Sequence, residues 1–353
     1  MVSPSTTKPK LVLLATTIAA FMGPFDANIV NLALPNIGGS LHAQLSYLIW
    51  IPVAYLLVSA SLQATMGWLG DITGRKKIFA LGIFLFTLGS ALASLSNNVL
   101  ILILNRVIQG AGAASMSSSS AAIVTDTFRR ERGRALGINI SATYIGLTLG
   151  PIVGGFLVQP FGWRSIFYVN IPIGIASLLL AFFYLPKDSS RIKQVNEHFD
   201  IAGSVALSLF LVTLMLFVSQ NDLALAPFEI LLLGGVCAGS FAGFILNESR
   251  FAKKPIIDLG LFTHNRLFAA GNATAVFNYL TFGGTIFIMP LYLQLVRGYS
   301  PSSAGLILFA QPVVQALTAP VAGILSDRID SRILSSVGMF SRSVGLLALS
   351  FLG

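Results

Sequence analysis

The stretch LVLLATTIAAFMGPFDANIVNLALP, residues 11–35, is apolar along almost its whole length and contains a single carboxylate, Asp26. A run of this length can cross the roughly 30 Å hydrocarbon core of a bilayer as a helix. The rest of the chain has the same character, because 55% of its 353 residues are hydrophobic, only 10% are charged and the mean hydropathy is +0.81. Soluble domains carry about 25% charged residues. The composition therefore predicts an all-α polytopic membrane protein.

Apolar runs recur along the chain and predict eleven membrane-spanning helices. A cleaved signal peptide does not fit the N-terminus, because the first apolar run is too long and many more follow. The predicted spans cover residues 11–33, 47–66, 78–96, 99–123, 135–158, 165–185, 201–219, 228–246, 268–293, 303–325 and 333–353.

The net charge of +9 follows from topology. With the N-terminus in the cytoplasm, 18 of the 22 Lys and Arg residues fall on the cytoplasmic side, while Arg164 and Arg297 fall on the other side and Arg106 and Arg342 lie inside spans. This asymmetry is the positive-inside pattern. We expect a multi-pass protein of the plasma (cytoplasmic or inner) membrane, with the lipid bilayer as its surroundings and no nucleic-acid partner.

Two similar segments follow predicted spans. GWLGDITGRKK (residues 67–77) comes after the second span and GILSDRIDSR (323–332) after the tenth, which aligns Asp71 with Asp327. Internal repeats are a signature of transporter folds. An offset of eight helices predicts two six-helix halves separated by an inserted helix pair. The predicted domains are the N-terminal half (1–186), the linker with the inserted helices (187–250) and an incomplete C-terminal half (251–353).

This arrangement has fourteen helices, so about 11 of 14 are present and three would follow Gly353. We therefore expect the sequence to be a fragment or the product of a truncated gene. A truncated membrane protein that does not transport by itself is one alternative for its function.

The repeated segment combines glycines at a helix end with opposite charges, so that Asp71 is expected to face Arg75 and Lys76 across a tight turn. Such a charged clasp can hold two helix ends together in one conformation and release them in another; ordinary surface charge is the alternative. The predicted cytoplasmic gate consists of Gly67, Asp71, Gly74, Arg75, Lys76, Asp327 and Arg328.

The stretch GLTLGPIVGG, residues 146–155, places Gly146, Gly150 and Gly154 at intervals of four, on one face of a helix. Small residues on one face let a neighbouring helix approach closely, and Pro151 removes a backbone hydrogen bond. This face is expected to form a seal between the two halves, with static packing as the alternative.

Asp26 and Arg106 lie at similar predicted depths in the first and fourth spans. Ionisable groups inside a membrane usually face the bundle interior and pair with each other. Burial favours the neutral form of a carboxyl group and a nearby cation favours the ionised form, so that moving the cation would switch the carboxyl group. A proton-coupling role is preferred, with a structural salt bridge as the alternative.

Together these residues resemble the fourteen-helix drug:proton antiporters of the major facilitator superfamily. The chain departs from that pattern at Asn28, where the family commonly has Thr, and at Ile72, where it commonly has Arg. The resemblance covers nearly the whole chain and is carried by FDANIVNLALP (25–35), GWLGDITGRKK (67–77), LNRVIQGAGAA (104–114), GLTLGPIVGG (146–155), WRSIFYVNIPIG (163–174) and PIIDLGLF (255–262).

The resemblance implies a major facilitator fold and a multidrug efflux antiporter that exchanges protons for amphiphilic or lipophilic organic compounds. It assigns proton coupling to Asp26 and Arg106, and the antiporter motif to Gly146, Gly150, Pro151, Gly154 and Gly155. No cofactor is expected, since the proton gradient supplies the energy, and a monomeric transporter is compatible with this interpretation. An exporter of an endogenous metabolite, lipid or siderophore would carry the same motifs, whereas an uptake symporter should lack the antiporter motif. The three scattered histidines show no catalytic or metal-binding pattern, so an enzyme is not expected.

Overall fold

A computed structural model describes residues 9–186, 200–218, 226–252, 255, 257–298 and 301–351. Throughout these residues the regular secondary structure is helical, as predicted. Short π-helical segments cover Asn247–Phe251 and Tyr292–Val296. The helices are α1 (Pro9–Leu41), α2 (Leu45–Thr73), α3 (Arg75–Ser94), α4 (Val99–Thr127), α5 (Arg132–Phe161), α6 (Ser165–Tyr168), α7 (Asn170–Tyr184), α8 (Ile201–Val218), α9 (Pro227–Leu246), α10 (Leu259–His264), α11 (Arg266–Leu291), α12 (Pro301–Ser326) and α13 (Ser331–Ser350).

Each of the eleven predicted spans coincides with helical residues, and the span at 165–185 is made of α6 and α7 together. Among the described residues, eight helical stretches are long and apolar enough to cross a membrane. They are Pro9–Leu34, Tyr47–Thr73, Arg75–Ser94, Val99–Thr127, Arg132–Val158, Ser165–Tyr184, Pro227–Phe251 and Arg332–Ser350, and Ala202–Val218 is a shorter apolar helix.

Helices α1 to α7 pack as one bundle. Helix α1 contacts α5, α7 and α4, while α4 also packs along α2 and α3. The crossing of α3 with α4 depends on glycine, because a Cβ on Gly82 would lie 2.7 Å from the backbone nitrogen of Met116. Small residues at such crossings let helix backbones touch, which favours association in a membrane where the hydrophobic effect does not drive it.

Glycine also makes the turn between α2 and α3. Gly74 has φ 116° and is the only residue between the two helices, and its N–H donates to the Gly70 carbonyl at 3.0 Å. L-residues rarely adopt this conformation. The glycine therefore places the last turn of α2 directly against the first turn of α3, where the predicted gate lies.

The remaining helices pack less extensively on this bundle. Helices α8 and α9 pack on each other and α8 touches α2, while α12 packs along α5. The α5–α12 crossing is tight, because Gly133 and Gly323 face each other with no room for a Cβ on either residue. The linker that begins at residue 187 lies outside the described residues, and the division into two halves and an inserted pair stays a prediction.

Candidate functional site

The charged residues of α1 and α4 meet in the interior of the bundle. Arg106 Nη1 forms a salt bridge with Asp26 Oδ2, and both side chains are 0% exposed. The guanidinium also donates through Nε to the Ile51 carbonyl at 3.2 Å and through Nη1 to Gln109 Oε1 at 2.8 Å. A buried ion pair needs hydrogen-bond partners for its remaining donors and acceptors, and here α2 supplies a carbonyl for Nε and α4 an amide oxygen for Nη1.

Amide groups complete the surroundings of the carboxylate. Oδ1 of Asp26 accepts from Asn170 Nδ2 at 2.6 Å and from Gln109 Nε2 at 3.2 Å. Gln109 in turn donates to Ser90 Oγ at 2.7 Å. Arg106 and Gln109 stand three residues apart and so share a face of α4, while Asn170 is the first residue of α7. Three helices, α1, α4 and α7, thus meet at one carboxylate, which is held by one cation and two neutral donors.

An aromatic ring covers the pair on one side. The Tyr55 ring lies 4.3 Å from Arg106 Cζ, in a cation–π arrangement. Tyr55 is 4% exposed. Arg106 Nη2 is buried and has no hydrogen-bond partner among the described residues, so the ring is part of what stabilises this end of the guanidinium.

A cavity of about 600 Å³ adjoins this site, between α1, α2, α4 and α5. Its lining combines small and apolar residues with uncharged polar side chains. Ligand pockets of this size commonly have a mostly apolar wall with a few placed polar groups. The polar residues of the lining are Tyr55, Ser59, Gln63, Ser117, Ser120, Asn139 and Thr143.

The predicted clasp is present between Asp71 and Arg75, and it extends to a third helix. Arg75 Nη2 lies 2.7 Å from Asp71 Oδ1, and Arg75 Nη1 lies 2.7 Å from Asp126 Oδ2 near the end of α4. Arg75 Nη1 also donates to the Ala122 carbonyl at 3.3 Å. Exposed ion pairs contribute little stability, and Asp71 is 57% exposed. The clasp therefore joins α2, α3 and α4 weakly enough to open, while its role as a gate stays a prediction.

Lys76 is placed differently from the expectation that Asp71 faces it. Its Nζ donates to the Phe182 carbonyl at 2.7 Å and to the Leu185 carbonyl at 2.9 Å. These carbonyls belong to the C-terminal end of α7, where helical carbonyls lack intrahelical partners and a cation is favoured. Lys76 therefore caps α7.

Asp327, directly after α12, contacts the start of α5. Its Oδ1 accepts from the Gly133 N–H at 3.1 Å and its Oδ2 from the Arg134 N–H at 3.3 Å. A carboxylate is stabilised at a helix N-terminus by unpaired N–H groups and the helix dipole. Arg328 is exposed and makes no side-chain hydrogen bond to the described residues. Asp327 thus tethers α12 to α5.

The glycine face of residues 146–155 packs against α1. A Cβ on Gly146 would lie 2.6 Å from the Phe21 carbonyl oxygen, and one on Gly150 would lie 2.9 Å from Asn28 Cβ. Gly154 likewise faces Ile29, whereas a Cβ on Gly155 would have nothing within 4 Å. The expected seal between halves is therefore corrected: the neighbour is α1, and the contact of α5 with α12 uses Gly133 and Gly137 instead.

Two prolines free carbonyls at this α1–α5 interface. Pro151 has no N–H for the Leu147 carbonyl four residues earlier, and Asn28 Nδ2 of α1 donates to that carbonyl at 2.9 Å. Pro24 likewise leaves the Ala20 carbonyl without its helical N–H. The hydroxyl of Thr143 on α5 lies 3.4 Å from the Ala20 carbonyl and 3.3 Å from the Asn139 carbonyl of its own helix. Asn28 thus satisfies the carbonyl that Pro151 frees, and Thr143 lies within reach of the one that Pro24 frees.

The pairing of Asp26 with Arg106 was predicted from the sequence, but the residues around the pair were not. Gln109 and Asn170 lie within stretches that carried the family resemblance, yet neither was assigned to the site. Their signal was present, because a polar amide inside an apolar span needs a partner. Asp126 was missed because nothing in its local sequence shows that the end of α4 reaches Arg75.

Comparisons with known proteins show the family and the fold. The model of the Major Facilitator Superfamily matches residues 16–270 and 272–353. Two solved structures share the fold. The proton:xylose symporter XylE has a TM-score of 0.63 and 13% identity, and the match covers 91% of this chain and 70% of XylE. The peptide transporter POT has a TM-score of 0.59 and 17% identity, and the match covers 91% of this chain and 68% of POT. At these identities the likeness concerns the fold alone. The predicted all-α membrane protein with a major facilitator fold is confirmed.

Three curated relatives match almost the whole chain. The riboflavin transporter RibZ of Clostridioides difficile (strain 630) is 34% identical, over 97% of this chain and 73% of RibZ. The multidrug resistance protein Stp of Mycobacterium tuberculosis (strain ATCC 25618 / H37Rv) is 33% identical, over 97% of this chain and 63% of Stp. The tetracenomycin C resistance and export protein of Streptomyces glaucescens is 34% identical, over 98% of this chain. The chain spans 64% of the length of that last protein.

Proposed function

The chain belongs to the Major Facilitator Superfamily, and we propose that it acts as a proton-coupled efflux antiporter that exports amphiphilic or lipophilic compounds across the cytoplasmic membrane. The observation that carries this proposal is the fully buried Asp26–Arg106 pair beside an uncharged cavity. Ionisable residues kept inside a membrane protein mark ion or proton pathways. The relatives named as multidrug resistance and export proteins support the direction and the substrate class.

In the proposed cycle, Asp26 takes up a proton from outside and thereby loses its ionic attraction to Arg106. The change in charge favours one of two arrangements of the halves, while a substrate in the cavity favours the other. Two ligands that bias one conformational equilibrium in opposite directions are exchanged rather than carried together. The Asp71–Arg75–Asp126 clasp closes the cytoplasmic ends of α2, α3 and α4 in this scheme, and the N-terminus is cytoplasmic.

A second candidate is export of an endogenous metabolite. The similarity to the riboflavin transporter RibZ favours it specifically. The polar amides and hydroxyls of the cavity lining would suit a planar metabolite with hydrogen-bonding groups as well as a drug.

Transport into everted membrane vesicles tests both candidates. Cells producing the full chain yield vesicles in which an imposed proton gradient should drive accumulation of ethidium, a lipophilic cation, or of riboflavin. Ethidium transport supports the multidrug function, and transport of riboflavin alone supports the metabolite exporter.

The variant Asp26→Asn should reduce this transport to the level of vesicles without the protein. Glu229→Gln is the matched control, because Glu229 is exposed on α9 and the glutamine oxygen can still accept from the Ala226 N–H. Full proton-driven transport by Asp26→Asn would contradict proton coupling at this carboxylate.

A further inference from the structure

Tyr55 belongs to two sites at once. On one side its ring covers the Arg106 guanidinium at 4.3 Å. On the other side it is part of the cavity lining. Asp26 and Arg106 are 0% exposed and do not line the cavity, whereas Tyr55 retains 4% exposure. The aromatic ring therefore stands between the cavity and the buried charges.

Packing holds the ring in this place. The backbone of α4 comes close to α2 here, since a Cβ on Gly110 would lie 2.7 Å from the Tyr55 carbonyl oxygen. The Tyr55 hydroxyl reaches α1, where it lies 3.1 Å from the position of a Cβ on Gly23. The Phe86 ring of α3 meets the tyrosine ring edge to face, with centroids 6.4 Å apart. Tyr55 is thus wedged among three neighbouring helices, and it can leave this position only if its packing changes.

We propose that Tyr55 is the partition that controls the access of water and protons from the cavity to Asp26. With the ring over Arg106, the ion pair is closed off from the cavity. When the ring moves, water reaches the carboxylate and Arg106 Nη2, the buried donor without a partner among the described residues, gains one. A substrate in the cavity would press on the tyrosine and not on the carboxylate. Substrate and proton then compete through this side chain.

This inference rests on the proposed function only in taking Asp26 as the proton site. It can be tested without transport, because it concerns the access of a water-soluble reagent to a carboxyl group. The purified full chain in detergent is treated with a water-soluble carbodiimide and glycine ethyl ester, and labelled carboxyl groups are quantified by peptide mass spectrometry. The exposed Asp71 serves as an internal standard in every sample.

Tyr55→Ala should raise the labelling of Asp26 relative to Asp71 by at least about tenfold, because a site reached only through a minor open state reacts in proportion to that state's small population. Tyr55→Phe keeps the ring and should label like the wild type. Leu56→Ala is the matched control, since Leu56 lines the same cavity but is 57% exposed and outside the contacts of the ion pair.

Similar Asp26 labelling in Tyr55→Ala and in the wild type would overturn the proposal, as would an equal increase in Leu56→Ala. Size-exclusion chromatography and thermal unfolding establish that each variant is folded, and Tyr55→Leu replaces Tyr55→Ala if the smaller residue destabilises the bundle. A failure of the proposed function would appear in a different experiment, because Asp26→Asn would then still carry out proton-driven transport. Labelling does not depend on that result.

Discussion

Replacing Asn28 by leucine tests whether the prolines of α1 and α5 depend on polar partners in the opposite helix. Asn28 Nδ2 donates at 2.9 Å to the Leu147 carbonyl, which Pro151 leaves without its helical partner. Asn28→Leu removes this donor and leaves the carbonyl unpaired inside the bundle. We expect the variant to fold and to be less stable than the wild type.

The size of the effect follows from two known quantities. Hydrogen bonds between membrane helices contribute on average about 0.6 kcal/mol, and a buried acceptor left without a partner costs roughly 1–3 kcal/mol. The contact is only partly buried and borders the cavity, so we expect a loss near the lower end, about 1 kcal/mol. In a Pro151→Ala background the restored N–H can reach the Leu147 carbonyl, and Asn28→Leu should then cost less than about 0.5 kcal/mol.

The wild type, Asn28→Leu, Pro151→Ala and the double variant form a double-mutant cycle. Their free energies of unfolding are measured in mixed micelles by titration with sodium dodecyl sulphate, followed by circular dichroism. Asn31→Leu is the control, because it makes the same chemical change on α1 at an exposed residue that forms no hydrogen bond with the described residues. An equal cost of Asn28→Leu with proline and with alanine at position 151 would refute the reasoning, since the asparagine would then not serve the carbonyl that proline frees.

Two further predictions concern the ion pair and the glycine face. Asp26→Asn should destabilise the protein by roughly 3–5 kcal/mol, which is more than Arg106→Gln, because an unpaired carboxylate can take up a proton while an arginine stays charged. The same titration measures both variants. The reverse order would contradict the described burial of Arg106. Gly146→Ala should cost roughly 1–3 kcal/mol through overpacking, since its Cβ would lie 2.6 Å from the Phe21 carbonyl oxygen. Gly155→Ala, whose Cβ meets nothing within 4 Å, should be neutral or slightly stabilising, and equal effects of the two alanines would count against the observed α1–α5 packing.

The helices and the central ion pair could be predicted from sequence because they follow from local rules. A span is recognised by its length and apolar composition. The eleven predicted spans coincide with helical residues, and among the described residues eight of them are long and apolar enough to cross a membrane. The pairing of Asp26 with Arg106 follows from the cost of a lone charge in a membrane. These two charges lie well inside α1 and α4, so few partners were available to either of them.

Contacts that depend on how helices are arranged could not be predicted in this way. The glycine face of α5 was correctly placed on one side of a helix, but spacing does not say which helix covers it, and the covering helix is α1. In the same way Lys76 follows Arg75 directly in sequence, yet successive helical residues point in different directions. Arg75 therefore reaches Asp71 and Asp126, while Lys76 reaches the end of α7.

The two aspartates of the internal repeat show why repeated sequence does not ensure repeated contacts. In the first copy, Arg75 stands four residues after Asp71, at the spacing that suits an ion pair along the chain, and it takes the carboxylate. In the second copy, the residue four positions after Asp327 is Ser331, so no cation is supplied at that spacing. Asp327 is then available for the N–H groups at the start of α5. The copy with arginine at this position thus forms a clasp and the copy with serine a tether between α12 and α5, so Ser331→Arg should draw Asp327 away from α5.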